Sequence, residues 1–452
     1  MEKLLTWQPK IISMKIERNQ LLTVLSEALD CVEKEVLGIT DHHAKRIAWI
    51  CIQMGKQAGM DEKEISDMAL AALMHDNALN EYRLDYENGK PKSGVSGKEH
   101  CIAGEKNMHL IPEFHDMNGF VLYHHECADG SGPFGKTQDE TSLGAQIIHL
   151  ADEVDLQFSL GSYKEEDYER IYSYVTNHIG TLFSKQVAEY FLSFLRLSSL
   201  EEVSNANIES LVLDIMPLYI KLDCGIADLF AQVIDYKSPF TRNHSIGVAQ
   251  KVTAMAKYYG YDEEKTLKLY MAGALHDIGK LFVHNDVLEK PGRLDETEYQ
   301  YIQSHAYETY RLLSKIEGLQ EVRDWATYHH EKLNGKGYPF GKNADELDHE
   351  MRLLSCLDVY QALTEDRPYK AGMTHAKAVS ILSELAEKGE MDGVIVQDID
   401  IVFSDGNNEA DNSETALFQC QVCGYIYEGD VVPTGYICPV CGQPEYRFYR
   451  MK

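Results

Sequence analysis

Apolar residues recur every three or four positions along most of this 452-residue chain. Two stretches show the pattern clearly, and each begins near a histidine and stops at a glycine. Their apolar positions are Ile47, Ile50, Met54 and Ala58 before Gly59, and Val248, Val252, Met255, Ala256 and Tyr259 before Gly260. Such spacing places side chains on one face of an α-helix, and glycine commonly follows a helix C-terminus. The pattern therefore predicts amphipathic helices after His43 and after His244.

The remaining pattern divides the chain into parts. The apolar stretches ISDMALAALMHD and LYMAGALHD each end in a His-Asp pair, and residues 165–200 carry Tyr, Phe and Leu at helical intervals. Residues 405–415 are almost entirely polar, as in a linker. We expect a mainly α chain with two tandem all-helical domains at 1–204 and 205–404, this linker, and a small β/loop module at 416–452.

Composition excludes several classes of function. The formal net charge is −29 and the pI is near 5.0, which argues against binding to nucleic-acid polymers or anionic membranes. The N-terminus lacks the apolar core of a signal peptide, and no stretch approaches the length of a membrane span. We expect a cytoplasmic protein, in which local cations or metal ions must hold any anionic substrate. Six cysteines are scattered as reduced thiols usually are: Cys31, Cys51, Cys101, Cys127, Cys224 and Cys356.

The chain carries one series of histidines and aspartates twice. In the second half the series is His244, His276, Asp277, His305, His329, His330 and Asp358. In the first half it is His43, His75, Asp76, His100, His124, His125 and Asp152. The first two histidines of each series lie 32 residues apart in both halves, and the third and fourth lie 24 apart. Chance does not preserve two intervals while the sequence between them diverges, so the chain contains two copies of one metal-binding unit.

These residue types suit a pair of divalent ions. Imidazole and carboxylate groups on neighbouring helices can converge on first-row metals. Adjacent residues on a helix point about 100° apart, so the aspartate of each His-Asp pair could bridge two ions while the histidine binds one. Seven ligands exceed the need of one tetrahedral ion, which predicts two metals per half. Imidazoles mixed with carboxylates, without thiolates, favour iron or manganese over a structural zinc site, and we expect iron first.

Only the second copy carries groups suited to an anionic substrate. Lys280 follows Asp277 by three residues, whereas the first copy has Leu79 at that place. A glycine-rich loop, Asn334–Pro339, follows the second histidine pair and contains Gly337 and Tyr338. Arg367 and Lys370 follow Asp358. The first copy has Asp129–Pro133, with no tyrosine before the proline and no equivalent of the two later cations.

The second copy resembles the HD-GYP subgroup of the HD phosphohydrolase superfamily. The resemblance spans about 225–385 and rests on His-Asp-Ile-Gly-Lys (276–280), on His329–Pro339, and on Asp358 with the Arg-Pro-Tyr-Lys stretch. It implies an all-helical fold, a centre of two or three metals, and hydrolysis of a cyclic dinucleotide, typically cyclic di-GMP. Asp277 and Lys280 would then be catalytic. The implied substrate contacts are Lys280, Asn334, Gly337, Tyr338, Arg367 and Lys370.

Two departures from the family pattern matter. The family loop usually has aspartate where Asn334 stands. Trinuclear members have a glutamate four residues before the first histidine, where this chain has Phe240, or Ile39 in the first copy. We therefore expect two metals, and the first copy resembles a degenerate HD domain.

A cysteine module ends the chain. Cys420 and Cys423, with Cys438 and Cys441, form two CxxC pairs separated by fourteen residues, a spacing that offers four thiolates to one tetrahedral ion. The sequences YIYEGD and CPVCG resemble the rubredoxin domain of rubrerythrins. That resemblance implies one iron and single-electron transfer, while a structural zinc site is the alternative.

Four hypotheses follow. The first is a metal-dependent phosphodiesterase acting on a cyclic dinucleotide. The second is a di-iron redox enzyme or an oxygen or peroxide sensor of the HD fold that receives electrons from the rubredoxin-like domain. The third is a phosphodiesterase gated by redox state, and the fourth is a dinucleotide receptor without turnover. A homodimer and an electron-transfer partner are compatible with the sequence.

Overall fold

The computed structural model describes residues 15–87, 90–91, 97–111, 114, 119–197, 219–221, 224–238, 244–290, 292–366, 371–404, 416–420, 426–429 and 448–450. The chain forms two compact units, 1–404 and 405–452. The first unit therefore contains both copies of the histidine and aspartate series, and the second contains the cysteine module.

The first half of the larger unit is built from seven described helices. They are α1 (Arg18–Leu37), α2 (His43–Ala58), α3 (Glu62–Leu73), α4 (Lys98–Met108), α5 (Leu143–Phe158), α6 (Tyr168–Asn177) and α7 (Lys185–Leu197). The predicted helix after His43 is confirmed, and Gly59 ends it with a φ of 71°, a backbone conformation that glycine adopts without strain. Asp61 begins α3, and its side chain accepts a hydrogen bond from the Glu64 amide while Glu64 reciprocates.

The second half repeats this order and extends it. Its described helices are α8 (Cys224–Asp235), α9 (His244–Tyr258), α10 (Glu263–Leu275), α11 (Asn285–Leu288), α12 (Glu296–Leu313), α13 (Gln320–Thr327), α14 (His349–Thr364), α15 (His375–Glu387) and α16 (Gly393–Phe403). Asp262 caps α10, and Asp295 caps α12 in a reciprocal pair with Glu298. The prediction of a mainly helical chain is confirmed.

Two short pairs of strands accompany the helices of the larger unit. Lys15–Glu17 (β1) pairs antiparallel with Tyr219–Lys221 (β4), and Tyr86–Glu87 (β2) pairs with Lys90–Pro91 (β3). Strands β1 and β4 directly precede α1 and α8, the first described helix of each half. This pairing joins the two halves through backbone hydrogen bonds, which the periodicity of either half could not reveal.

The two halves pack together through side chains as well. Helix α1 contacts the 3₁₀ turn Ile278–Phe282 of the second half. On its surface Glu27 accepts hydrogen bonds from Arg311 at 2.6 Å and Lys315 at 2.5 Å. Glu35 accepts from Lys237 and from the Asn285 amide, both at 2.9 Å. The two copies therefore share one compact unit, and the boundary at 204/205 stays a prediction.

The smaller unit contains a three-stranded antiparallel sheet. Ala416–Cys420 (β5) lies between Ile426–Gly429 (β6) and Phe448–Arg450 (β7). Cys420 is the last residue of the central strand. Cys423, Cys438 and Cys441 lie outside the described residues, as does the 405–415 segment.

Within the described part of the chain, no helix combines the length and the apolar character needed to cross a membrane.

Candidate metal centres

The His-Asp pairs lie just beyond helix ends rather than within helices. Helix α10 ends at Leu275, His276 is its C-cap, and Asp277 precedes the 3₁₀ turn Ile278–Phe282. His75 and Asp76 likewise follow α3. The expectation of two ligands 100° apart on one helix is therefore wrong in its local geometry. The sharp turn still aims both side chains at one centre.

Gly279 and Thr309 fix the position of this turn in the second half. A Cβ on Gly279 would lie 1.9 Å from the His305 carbonyl oxygen, so only glycine fits against α12. The Thr309 hydroxyl accepts from the Gly279 amide at 3.1 Å and donates to the His276 carbonyl at 3.0 Å. These contacts hold the turn beside His305.

The seven predicted residues of the second half converge in two groups. His244 Nε2 and His276 Nε2 lie 2.9 and 3.6 Å from Asp358 Oδ1. The second group contains His305, His329 and His330. Its donor atoms lie within 4.8 Å of one another.

Asp277 lies between the two groups. Its Oδ2 is 3.3 Å from His276 Nε2, and its Oδ1 is 3.5 Å from His305 Nε2. The two oxygens of one carboxylate therefore face different groups, which is the arrangement expected of a bridging ligand. Asp358 belongs to the first group and lies farther from the second, with its Oδ2 4.0 Å from His330 Nδ1.

The first half repeats this arrangement. His43 Nε2 and His75 Nε2 lie 3.2 and 3.8 Å from Asp152 Oδ1. Asp76 Oδ2 faces His75 at 3.5 Å, while its Oδ1 faces His100 at 3.4 Å. The remaining histidines lie nearby, with His124 Nε2 3.7 Å from Asp76 Oδ1 and His125 Nδ1 3.8 Å from Asp152 Oδ2.

Backbone carbonyls orient the histidine rings. In five of them Nδ1 bonds the carbonyl three residues earlier, at 2.5 to 2.9 Å, which leaves Nε2 for the centre. These histidines are His75, His124, His276, His305 and His329. A bond from one ring nitrogen to a carbonyl fixes the tautomer that presents the other nitrogen as a metal ligand.

The donor atoms fit metal ions better than they fit one another. Among the described residues, several buried atoms at the centres have no hydrogen-bond partner. They are His43 Nε2, His75 Nε2, Asp76 Oδ1, His124 Nε2, His276 Nε2 and Asp277 Oδ1. A buried polar atom without a partner costs about 1–3 kcal/mol. Divalent ions would satisfy all six, so the residues of both halves fit metal binding.

The histidines of the second group are suited to bind as neutral ligands. Burial lowers the pKa of His305 to about 4 and that of His330 to about 3. Burial opposes the charge of Asp277, but His276 and Lys280 outweigh it and lower the pKa of this carboxyl well below its usual range. Neutral imidazoles and an ionised carboxylate are the forms that coordinate a divalent ion.

The hydrogen-bond partners of the first histidine differ between the halves. His43 Nδ1 bonds Asp155 at 2.6 Å, and Arg46 binds the same carboxylate through Nε at 2.7 Å and Nη2 at 2.8 Å. His244 Nδ1 instead faces Glu365 at 3.0 Å. Gly247 occupies the place of Arg46, and Gln361 fills the space beside it. In the first half, therefore, a buried ion pair between Arg46 and Asp155 lies behind His43.

Lys280 lies at the second centre. Its Nζ donates to Asp277 Oδ2. Burial lowers the pKa of Lys280, but Asp277 outweighs this effect and raises it, so the side chain is an ammonium. Leu79 takes this position in the first half and is buried. The cation therefore belongs to the second centre alone.

The glycine-rich loop is held against the second centre by Glu331. Its carboxylate accepts from the amides of Phe340, Gly341 and Lys342 at 2.7, 3.1 and 2.9 Å. A Cβ on Gly337 would lie 2.4 Å from Glu331 Cα, so the close approach requires glycine. The Tyr338 ring then lies 4.7 Å from the His330 ring, and the Tyr338–Pro339 peptide is cis.

Asn334 makes a hydrogen bond within the glycine-rich loop. Its Oδ1 accepts from the Lys336 amide at 3.1 Å, and Asp129 makes the same turn with Ser131 at 2.9 Å in the first half. The side chain therefore shapes the loop. Arg367, Lys370 and Phe240 lie outside the described residues.

Sequence reasoning missed Cys101 at the first centre. Its Sγ lies 3.4 Å from His100 Nε2 and belongs with His100, His124 and His125 to one group of possible ligand atoms. Burial raises the pKa of this thiol, but His124 and His100 outweigh it and lower the pKa to about 7. Its place directly after His100 was the available signal, since the second half has Ala306 there.

Buried carboxylates were also missed. Glu33, on α1, is fully buried, and burial together with Asp30 raises its pKa well above the usual range despite nearby His43. Asp235 ends α8 and accepts from the Ser245 hydroxyl at 2.7 Å, and burial raises its pKa to about 7. Both precede the first histidine of their half by about ten residues, outside the repeated intervals.

Two segments match known protein families. Residues 228–395 match the HD domain family, and residues 418–449 match the rubrerythrin rubredoxin-like domain. The second half therefore carries an HD domain, and the end of the chain carries a rubredoxin-like domain. Both domains imply metal binding.

One curated relative aligns over both halves, and two others align over about a third of the chain. The chain is 29% identical over 404 residues to 3'3'-cGAMP-specific phosphodiesterase 1 of Vibrio cholerae, covering 85% of this chain and 91% of the relative. It is 40% identical over 163 residues to 3'3'-cGAMP-specific phosphodiesterase 3 of that organism, covering 36% and 35%. It is 34% identical over 146 residues to the cyclic di-GMP phosphodiesterase PA4108 of Pseudomonas aeruginosa, covering 32% and 35%.

A solved structure shares the fold. The crystal structure of the cyclic GMP-AMP-specific phosphodiesterase V-cGAP3 of V. cholerae aligns with a TM-score of 0.58 at 22% identity. The alignment covers 86% of this chain and 98% of that one. The fold described above is therefore shared over nearly the whole of that chain.

Proposed function

We propose that this chain is a metal-dependent phosphodiesterase of the HD-GYP type that hydrolyses a cyclic dinucleotide at the second-half centre. The observation that carries the proposal is the convergence of Lys280 and the Tyr338 loop on the seven histidine and aspartate side chains of the second half. The first half has an equivalent ligand series but lacks both additions. Domain bounds at 204/205 and 404/405 are part of this proposal.

The ligand arrangement favours two ions in the second half, with iron ahead of manganese. His244, His276 and Asp358 would hold one ion, His305, His329 and His330 the other, and Asp277 both. Bound ions would neutralise charge on a phosphodiester and make water a better nucleophile. The residues around them must bind the substrate and orient it.

Lys280 supplies a fixed positive charge beside the bridging carboxylate. Its Nζ is hydrogen-bonded to Asp277 Oδ2, so the ammonium is held at the edge of the centre where a phosphodiester oxygen would approach. Charge that develops on that oxygen during P–O cleavage would be stabilised without reorganisation of the site. The net charge of −29 makes such a local cation necessary.

Tyr338 supplies an aromatic surface beside the second-half centre. Its ring lies beside His330, whose side chain is 27% exposed, so the centre is accessible from this side. A planar ring there could stack on a nucleobase. Together, a phosphate-binding centre and an adjacent aromatic wall suit a nucleotide better than a simple phosphoester.

The relatives support a cyclic dinucleotide as the substrate class. Two of the relatives described above are named 3'3'-cGAMP-specific phosphodiesterases, and the third is named a cyclic di-GMP phosphodiesterase. We propose that both cyclic dinucleotides are candidate substrates for this chain.

The test is hydrolysis by full-length protein loaded with Mn²⁺, or anaerobically with Fe²⁺. Cyclic di-GMP, 3'3'-cGAMP and cyclic di-AMP are each incubated with enzyme, and linear products are separated by chromatography. Asp277→Asn should abolish turnover, whereas Asp76→Asn in the first half should retain it. Failure to cleave all three would overturn the proposal, and tight binding without turnover would identify a receptor instead.

We propose that the first-half centre binds ions without hydrolysing the substrate. Its ligands match those of the second half, but Leu79 replaces the lysine and its loop has no tyrosine. A structural or sensory role fits this combination.

Redox gating is a second candidate, favoured by the rubredoxin-like match at 418–449. One iron in the Cys420, Cys423, Cys438 and Cys441 site would allow single-electron transfer with a partner, whereas zinc would not. Turnover measured with reduced and with oxidised enzyme tests this idea. Equal rates, or zinc in the isolated protein, would remove it.

A further inference from the structure

The first-half centre contains a sulfur donor that the second-half centre lacks. Cys101 directly follows His100 on α4, and its Sγ lies among the donor atoms of His100, His124 and His125. All four atoms lie within 4.8 Å of one another. The equivalent group in the second half consists of His305, His329 and His330 alone, with Ala306 after the first histidine.

Several features argue against an ordinary buried thiol. Cys101 is fully buried, and His124 Nε2 beside it has no hydrogen-bond partner among the described residues. The thiol lies 3.4 Å from His100 Nε2, against a longer 3.7 Å from the Gly97 carbonyl oxygen. Cys356 is equally buried, and its hydrogen bond is to the backbone of Asp392.

We propose that Cys101 is a metal ligand, so that the first-half centre holds one of its ions through three imidazoles, the Asp76 carboxylate and one thiolate. The thiol gives up its proton on binding, and the proton passes to solvent. The proposal requires that the first half binds an ion, and it is independent of hydrolysis in the second half.

A thiolate changes which metal the first half prefers. Soft sulfur ligands favour iron and zinc over manganese and magnesium, which prefer oxygen and nitrogen donors. The two halves then differ in metal selectivity although their histidines and aspartates match. A chain exposed to mixed ions would load iron or zinc in the first half more completely than manganese.

The experiment uses full-length protein loaded with Co²⁺, because thiolate ligation gives near-ultraviolet charge transfer that imidazole and carboxylate ligation does not. The C-terminal cysteine site contributes equally to every variant and cancels in difference spectra. Wild type is compared with Cys101→Ala, with Cys356→Ala as the matched control, and cobalt per chain is measured in the same samples. We expect Cys101→Ala to lose a band that Cys356→Ala keeps.

The second half supplies the reciprocal variant. Ala306→Cys places a thiol after His305 in the equivalent register, and we expect it to gain the same band. Equal spectra for wild type and Cys101→Ala at equal cobalt content would overturn the proposal. If Cys101→Ala does not fold or load, Ala306→Cys decides, and a fully loaded variant without the new band would overturn it equally.

Discussion

At the residue scale, one aspartate organises each centre. Asp277 presents its two oxygens to different groups of histidines, and Asp76 does the same in the first half. The centres therefore differ mainly in the residues around this carboxylate. Two differences between the halves change the chemistry. The second half has Lys280 where the first has Leu79, and the first half has Cys101 where the second has Ala306.

Lys280→Leu should separate catalysis from metal binding, because the first half accommodates Leu79 at the same position. The lost ammonium should lower kcat/KM about 100-fold, roughly 3 kcal/mol of transition-state stabilisation. Metal content should not change, since Lys280 is not among the ligands. Steady-state hydrolysis and metal analysis measure both quantities.

Lys290→Leu is the control for this prediction. Lys290 is an exposed lysine that pairs with Glu298 at 2.6 Å, away from the centre. Its loss should leave kcat/KM unchanged. A Lys280→Leu enzyme that works as well as the control would contradict the role assigned to the ammonium.

At the element scale, the loops after the histidine pairs show how one scaffold gives two outcomes. Glu331 accepts hydrogen bonds from three backbone amides of the second-half loop. Glu126 accepts hydrogen bonds from the Phe134 and Lys136 amides of the first-half loop, which is shorter. Both loops are therefore anchored alike. Only the longer one carries a tyrosine beside the histidines.

Glu331→Ala should release the active loop. The substitution leaves partly buried backbone amides of the loop without their charged acceptor, which lowers the free energy of unfolding by about 2 kcal/mol. We expect faster amide exchange over 332–342 and a large loss of hydrolysis. Hydrogen–deuterium exchange by mass spectrometry, with activity on the same sample, gives the measurement.

Glu126→Ala is the matched change in the first half. It should accelerate exchange in its own loop and lower stability similarly, yet leave hydrolysis intact. Normal hydrolysis by Glu331→Ala despite faster loop exchange would show that the loop does not position substrate.

At the scale of the whole molecule, the two halves depend on their shared interface. Burial alone would raise the pKa of Glu27, but hydrogen bonds from Lys315 and Arg311 outweigh burial and lower this pKa from its ordinary value. A carboxyl with a lowered folded-state pKa contributes stability above its unfolded pKa, and this stability disappears as pH falls through the folded value. The interface should therefore weaken in acid.

Glu27→Gln should lower the free energy of unfolding at pH 7 by about 1 kcal/mol, a modest value because Lys315 is 37% exposed and screened by solvent. The difference from wild type should shrink below pH 4.5 and at high salt. Denaturant unfolding at several pH values measures it. Glu308→Gln, which removes a partner of Arg311 on the same helix, is the control, and a difference that stays constant with pH would refute the argument.

Metal removal should destabilise the helical unit as a whole. Chelation removes the ions and leaves the buried donor atoms of both centres without a partner. Bound ions would stabilise the folded state by roughly 3 kcal/mol at a hundredfold excess of free ion over Kd. We expect the thermal midpoint, followed by the helical circular dichroism signal, to fall by several degrees and to recover with Mn²⁺ or Fe²⁺. Identical midpoints with and without metal would mean that the centres do not bind ions.

The sequence by itself determined which residues could form the centres. Two fixed intervals, repeated in divergent surroundings, identified His43 and His244 as equivalents, and local periodicity with Gly59 and Gly260 predicted the helices that begin there. These features are encoded locally, because helix periodicity and helix ends depend on neighbouring residues.

Tertiary structure decided how the residues act. The split of each ligand set around Asp76 or Asp277, the joining of the halves through β1 and β4, and the inward position of Cys101 all depend on contacts between segments far apart in the chain. A residue pattern cannot show which atoms of a side chain face which neighbour, since that direction is fixed only when the helices pack.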